Sequence, residues 1–114
     1  LTNQMNASSA TVPNDVDEFE LAGLTAEPSQ LVKAPRVAES PAHMECTFLK
    51  RVDLPSSNPA QRNEMIIGQV IGIHIRDEVL VDGLVDVTKF RPLARLGYMQ
   101  YTVVEKVFTL DRPG

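Results

Sequence analysis

Apolar and polar residues alternate most clearly between Met65 and Arg76. Met65, Ile67, Ile71, Ile73 and Ile75 fall on one face, interrupted by Gln69, while Ile66, Gly68, Val70, Gly72, His74 and Arg76 fall on the other. A period of two predicts a strand here. A second alternating run starts at Ala42: Met44, Cys46, Phe48 and Val52 face away from His43, Glu45, Thr47 and Arg51, with Lys50 breaking the apolar side. The Ser, Asn, Pro and Gln residues of Pro55 to Asn63 predict a loop between the two. Asp82-Gly83, flanked by apolar pairs, predicts a hairpin turn. The last strand is expected over Tyr101 to Leu110.

The first 42 residues carry few strand signals. Leu1 to Ala10 reads as the tail of a helix whose beginning is not in this sequence, so the chain reads as a fragment. Asp15 to Gly23 predicts a short helix, with an acidic first turn that suits the macrodipole and a glycine to stop it. Pro28, Pro35 and Pro41 favour an extended path over Thr25 to Pro41. Leu24, Leu31, Val32 and Val37 give that arm apolar points of attachment, to this chain's own surface or a partner's. Thr88 to Leu96 has room for one helical turn, capped by Asp86 or Thr88. The fold class is all-β with short helices.

Gly68 and Gly72 leave the polar side of the strongest strand bare, ending in the imidazole of His74. Glycines in strands mark a bend, a bulge or the close approach of another group. A strongly coiled barrel strand and a flat ligand or backbone lying on that face both fit. His74 itself fits a structural hydrogen-bonding role as well as a functional one.

The chain has 114 residues, enough for one small domain, and 43% hydrophobic residues, enough for a packed core. Acidic residues outnumber Lys and Arg fifteen to eleven, and the basic residues form no stripe, which argues against nucleic-acid binding. No apolar run approaches the roughly 18 residues of a membrane span, and no signal-peptide pattern is visible. A lone Cys46 fits a reducing, cytoplasmic compartment, and its place in an alternating run predicts a buried structural thiol. One cysteine and two histidines at no ligand spacing give no zinc site.

Chemistry concentrates between Arg91 and Tyr101. Arg95 offers planar donors suited to a phosphate or an electron-rich ring edge. Gly97 allows close backbone approach, and Tyr98 and Tyr101 supply amphipathic aromatic surface. A β-turn with a surface salt bridge accounts for the same residues. No nucleophile–base pair is apparent.

Five blocks in order carry a resemblance: Met5 to Ala10 with Val16 to Thr25, then Pro35 to Pro41 with Met44-Glu45-Cys46, Ile67 to Ile75, Leu80 to Gly83, and Pro92 to Tyr98. Together they resemble the back half of flavin reductase-like, FMN-binding split-barrel proteins. The resemblance implies a Greek-key β-barrel of which residues 1–114 are the C-terminal portion, with 1–41 as helix and arm and 42–114 as barrel strands. It implies a homodimer that binds FMN near the subunit interface and passes hydride from NAD(P)H through the flavin. It also implies a complementary N-terminal half, on the same or another chain. Carried over by motif, Arg95, Gly97 and Tyr98 lie near the flavin or the nicotinamide approach, and Asn6, Ser8 and Ser9 line its edge. Glu39 and Ser40 hold the turn into the first barrel strand, and His74 projects toward the pocket. A non-catalytic FMN-binding barrel or an assembly partner is the alternative function.

Overall fold

In the computed structural model, which describes residues 1–114, the chain opens on α1 (Thr2–Ala7). The hydroxyls of Ser8 and Ser9 close its last turn, donating to the carbonyls of Met5 at 3.0 Å and Asn6 at 2.7 Å. α2 (Glu18–Ala22) begins later than the acidic run because Asp17 is its cap: the Asp17 carboxylate accepts the Phe19 N–H at 2.8 Å. Gly23, at φ 66°, ends the helix in the left-handed region.

The segment expected to run as an extended arm folds back on itself instead. β1 (Ala26–Glu27) pairs antiparallel with β2 (Arg36–Val37), so Pro28 and Pro35 bracket a loop rather than stiffen a straight path. Ser29 Oγ closes that loop by donating to the Ala34 carbonyl.

β3 (Ala42–Leu54) and β4 (Asn63–Ile75) form a long antiparallel hairpin, as their alternation predicts. The pairing slips twice. Glu45 pairs with Gly72 and Cys46 with Val70, which leaves Ile71 as an extra residue. Phe48 pairs with Gly68 and Lys50 with Ile67, which leaves Leu49 over. Each extra residue reverses the faces beyond it, so the single-faced arrangement of Gly68, Gly72 and His74 does not hold. Gly72 and His74 share a side with Glu45 and His43, their neighbours in register; Gly68 lies with Cys46. The cysteine is corrected as well, because the 30–32 loop covers the Glu45 side of β3 and not the Cys46 side. Glu45 turns inward, and Cys46, next along the strand, is exposed on a face that nothing in the chain covers.

A 3-10 turn (Asp77–Val79) leads into the short pair β5 (Leu80–Val81) and β6 (Leu84–Val85). Asp82 and Gly83 join them with φ of 51° and 78°, the two left-handed residues that the sequence pair specifies. A Cβ at Gly83 would meet no atom within 4 Å, so backbone conformation alone selects glycine. Gly83→Val is therefore expected to lower the stability of the full-length protein by about 1–2 kcal/mol, read from its urea midpoint. An unchanged midpoint would show that the turn relaxes freely.

α3 (Val87–Phe90) is capped by Asp86, not Thr88. The Asp86 carboxylate accepts the Thr88 hydroxyl at 2.6 Å and its N–H at 2.9 Å, and these bonds hold it below the usual carboxylate range. β7 (Leu93–Arg95) then pairs with β8 (Tyr101–Val103). The last strand is much shorter than its alternation predicts. Beyond Val103 the only backbone bond is from the Val104 N–H to the Pro92 carbonyl, no strand lies alongside, and Phe108 is 84% exposed.

The four strand pairs are separate ladders and close no barrel within this chain. Val79 and Glu45 alone are buried. The radius of gyration, 17.2 Å, exceeds the ~13 Å of a compact chain of this length. No helix is long and apolar enough to cross a membrane.

Candidate functional site

The one densely satisfied polar cluster is centred on Glu45, whose side chain projects from β3 into the loop between β1 and β2. Its Oε1 accepts the Gln30 N–H at 2.9 Å, and its Oε2 accepts the N–H groups of Leu31 at 2.6 Å and Val32 at 3.1 Å. His74 Nε2, across the hairpin on β4, lies 2.6 Å from Oε1. The Gln30 amide above all, helped by Leu31, His74 and Val32, outweighs desolvation and lowers the Glu45 pKa to about 2. Gly72 makes room for this packing: a Cβ there would sit 2.7 Å from Leu31 Cδ1. The bare strand face is thus partly occupied by the chain's own loop.

Two further contacts hold the same region. The Glu39 carboxylate accepts the Thr25 N–H at 2.9 and 3.2 Å, which holds it below the ordinary carboxylate range. His43 Nε2 lies 2.7 Å from the Val37 carbonyl, and its ring meets that of His74 edge-on, centroids 6.5 Å apart.

Three clefts surround α1. The first, about 470 Å³, is lined by Met5, Asn6 and Ser9 from the helix end and by Arg95, Met99 and Tyr101 from the β7–β8 hairpin. The second, about 320 Å³, has Ser8, Ser40 and His43 among apolar neighbours that include Leu24 and Val37. The third, about 640 Å³, runs between Glu39, Ser40 and the α3 end at Phe90 and Arg91. His74 lines a separate cleft of about 380 Å³ with His43, Arg36 and Arg76.

The residues singled out from the sequence are therefore distributed. Asn6, Ser9 and Arg95 meet in one cleft; Ser8, Ser40 and Glu39 line its neighbours; His74 lies apart. The Ser40 hydroxyl donates to the Ala42 carbonyl at 2.8 Å, so it shapes the entry to β3. Gly97 and Tyr98 line none of these clefts. Tyr98, at φ 56°, takes a left-handed turn conformation, and the residue is 95% exposed.

Arg95 is held in place by its own hairpin. Nη1 donates to the Tyr101 hydroxyl and Nη2 to the Tyr98 carbonyl, both at 3.1 Å, and the guanidinium lies 5.4 Å from the Tyr101 ring centroid. Arg91 pairs with Glu105 nearby. The bland reading of a turn with a salt bridge is therefore present beside a preoriented arginine. Sequence reasoning missed Glu45 and His43 as members of a polar cluster. The available signal was an acid and two histidines on adjoining strands: the two bulges, one on each strand, cancel, so a regular hairpin closed at Leu54 and Asn63 already sets His43 opposite His74 and Glu45 opposite Gly72.

Residues 2–94 match the flavin reductase like domain family, and the chain belongs to that family. A protein of Halalkalibacterium halodurans, itself uncharacterised, is 33% identical over 109 residues, covering 96% of this chain and 52% of its own length. Among solved structures, component B of nitrilotriacetate monooxygenase from Bacillus cereus superposes with a TM-score of 0.85 at 26% identity, over 96% of this chain and 54% of that one. A split-barrel protein of Shewanella frigidimarina, assigned as a flavin reductase, gives 0.78 at 27% identity, again over 96% and 54%. The fold is thus that of a flavin reductase split barrel, and the chain spans about half the length of these relatives.

Proposed function

We propose that the full-length protein is a flavin-dependent oxidoreductase of the flavin reductase type, holding FMN in the cleft between α1 and the β7–β8 hairpin and taking hydride from NAD(P)H. One observation carries the reading. Asn6 and Ser9 meet Arg95 and Tyr101 in a single cleft, from opposite ends of a chain that belongs to the flavin reductase like family.

The residues present fit such a ligand. A volume of about 470 Å³ is in the range of small-molecule sites, and the lining mixes apolar Met5 and Met99 with an amide, a hydroxyl and a guanidinium. When bound, the flavin supplies the hydride-accepting chemistry. The chain's own residues bind and orient. Arg95 keeps donors free beyond the two engaged by Tyr101 and Tyr98, and those bonds fix its direction before any ligand arrives. The Asn6 amide can both donate and accept, which suits a heteroaromatic edge. The complementary N-terminal half of the domain covers the apolar faces of β3 and β4, and the complete domain pairs as a homodimer. The unpaired outer edges of that hairpin, and relatives about twice as long, support this arrangement.

A flavin-binding barrel without turnover is the second reading. It is favoured by the lining of the cleft, which includes no carboxylate or imidazole to move a proton. Absorbance spectra of the purified full-length protein decide between them. A bound yellow chromophore bleached by NADH or NADPH is expected. A chromophore that neither nucleotide reduces would favour the second reading, and a colourless protein would leave only an assembly role. Arg95→Ala is expected to weaken FMN retention by about tenfold or more. Unchanged retention and unchanged nicotinamide use together would remove Arg95 from the site.

A further inference from the structure

We infer that Glu45 is a positioning residue that fixes the imidazole of His74 and ties it to the 30–32 loop, so that one buried carboxylate sets both the loop and the ring facing the adjoining cleft. Only the kinetic consequence of this inference rests on the flavin-oxidoreductase reading.

Glu45 is 2% exposed, and its two oxygens receive three consecutive backbone N–H groups. An ionised carboxylate only accepts hydrogen bonds. The His74 nitrogen 2.6 Å from Oε1 must therefore donate, which places the ring proton on Nε2. Turning the ring over would set a carbon against Oε1 and forfeit a charge-assisted bond. In the neutral ring Nδ1 is then the nitrogen left to accept from a neighbour or ligand in the cleft shared with His43, Arg36 and Arg76. Gly72 lets the Leu31 side chain lie against β4 beside the carboxylate, since a Cβ there would sit 2.7 Å from Leu31 Cδ1 and the leucine tip would have to turn away. His43 is bound to the same loop region through the Val37 carbonyl, so both imidazoles follow the β1–β2 segment.

The test is a two-bond nitrogen–proton correlation on histidine-labelled full-length protein. His74 is expected as a single tautomer with its proton on Nε2. Glu45→Ala is expected to mix both tautomers and, in the same variant, to expose the amides of Leu31 and Val32 to exchange. Glu45→Gln, which keeps shape and size, is expected to populate the second tautomer as well, because an amide offers a donor beside its acceptor; it serves should the alanine variant fail to fold. Where the protein oxidises NAD(P)H, Glu45→Ala and His74→Ala are each expected to slow it, and the double variant to be no slower than the worse single one. A wild-type proton on Nδ1, a single Nε2–H tautomer surviving in both Glu45 variants, or a double variant losing the product of the two single losses would overturn the inference. A wild type that oxidises neither nucleotide would defeat the proposed function, and the ring assignment alone would then decide this one.

Discussion

The loop between β1 and β2 is expected to stay bound to the β3–β4 hairpin at neutral pH and to come free as the pH falls from 4.5 toward 2. Those limits are the ordinary carboxylate value and the lowered one of Glu45. A carboxyl whose pKa is lower folded than unfolded contributes stability that is complete above the unfolded value and disappears as pH falls through the folded one. Protonation turns one oxygen of an acceptor of four hydrogen bonds into a donor and removes the charge that strengthens the rest, so the Gln30, Leu31 and Val32 amides are held more weakly. Glu39, also lowered, acts in the same direction at the Thr25 end of β1. Amide hydrogen exchange at residues 30–32, followed from pH 7 to pH 2 in the full-length protein, reads the release directly. In Glu45→Gln the same amides are expected to be less protected at pH 7 and to show little further change on acidification. A loop equally protected throughout, or a variant that titrates like the wild type, would contradict the role given to Glu45.

The second large effect concerns residues 1–114 produced alone, which are expected to self-associate. Phe48, Ile66 and Ile73 are 60% or more exposed on β3 and β4, each strand keeps one edge unpaired, and an isolated two-stranded hairpin is marginal in water. The tail carries Val107, Phe108 and Leu110 in the same condition. Sedimentation or size exclusion is expected to show oligomers or aggregate, and addition of the N-terminal half to yield a defined species. A monodisperse, cooperatively melting monomer would contradict this.

Local signals were legible where a residue's own backbone chemistry decides the outcome. Asp82-Gly83 specifies a turn with two left-handed residues, and the turn is there. Gly23 ends α2, and Asp86 caps α3. The strands β3 and β4 were legible from their period. Their faces were not, because the extra residues Leu49 and Ile71 leave no mark in an alternation that looks continuous. The inside of β3 is set by the 30–32 loop packing on Glu45, a contact that the alternation around Cys46 does not reveal. Residues 104–110 show the converse. Their alternation is real, but a strand also needs a neighbour to receive its backbone groups, and past the Val104–Pro92 bond no strand of this chain pairs with them. The arm's prolines alone favour a straight path, whereas contacts from Glu45 and Glu39, distant in sequence, hold the segment folded.

The site was legible in part. Arg95 and Asn6 stand in the motifs that carry the resemblance, and the fold sets them on one cleft. The sequence offers Tyr98 and Tyr101 alike as aromatic surface, but the turn sends Tyr98 to solvent, and Tyr101 is the aromatic residue that lines the cleft.

The most direct measurement is a titration of FMN into isotope-labelled full-length protein, observing the Arg95 Nε–H and the amides of Asn6, Ser9 and Tyr101. Saturable shifts concentrated on these four groups are the predicted result. No shifts, or shifts confined to the cleft of His74 and Arg36, would mean that the pocket beside α1 is not where this protein holds a flavin.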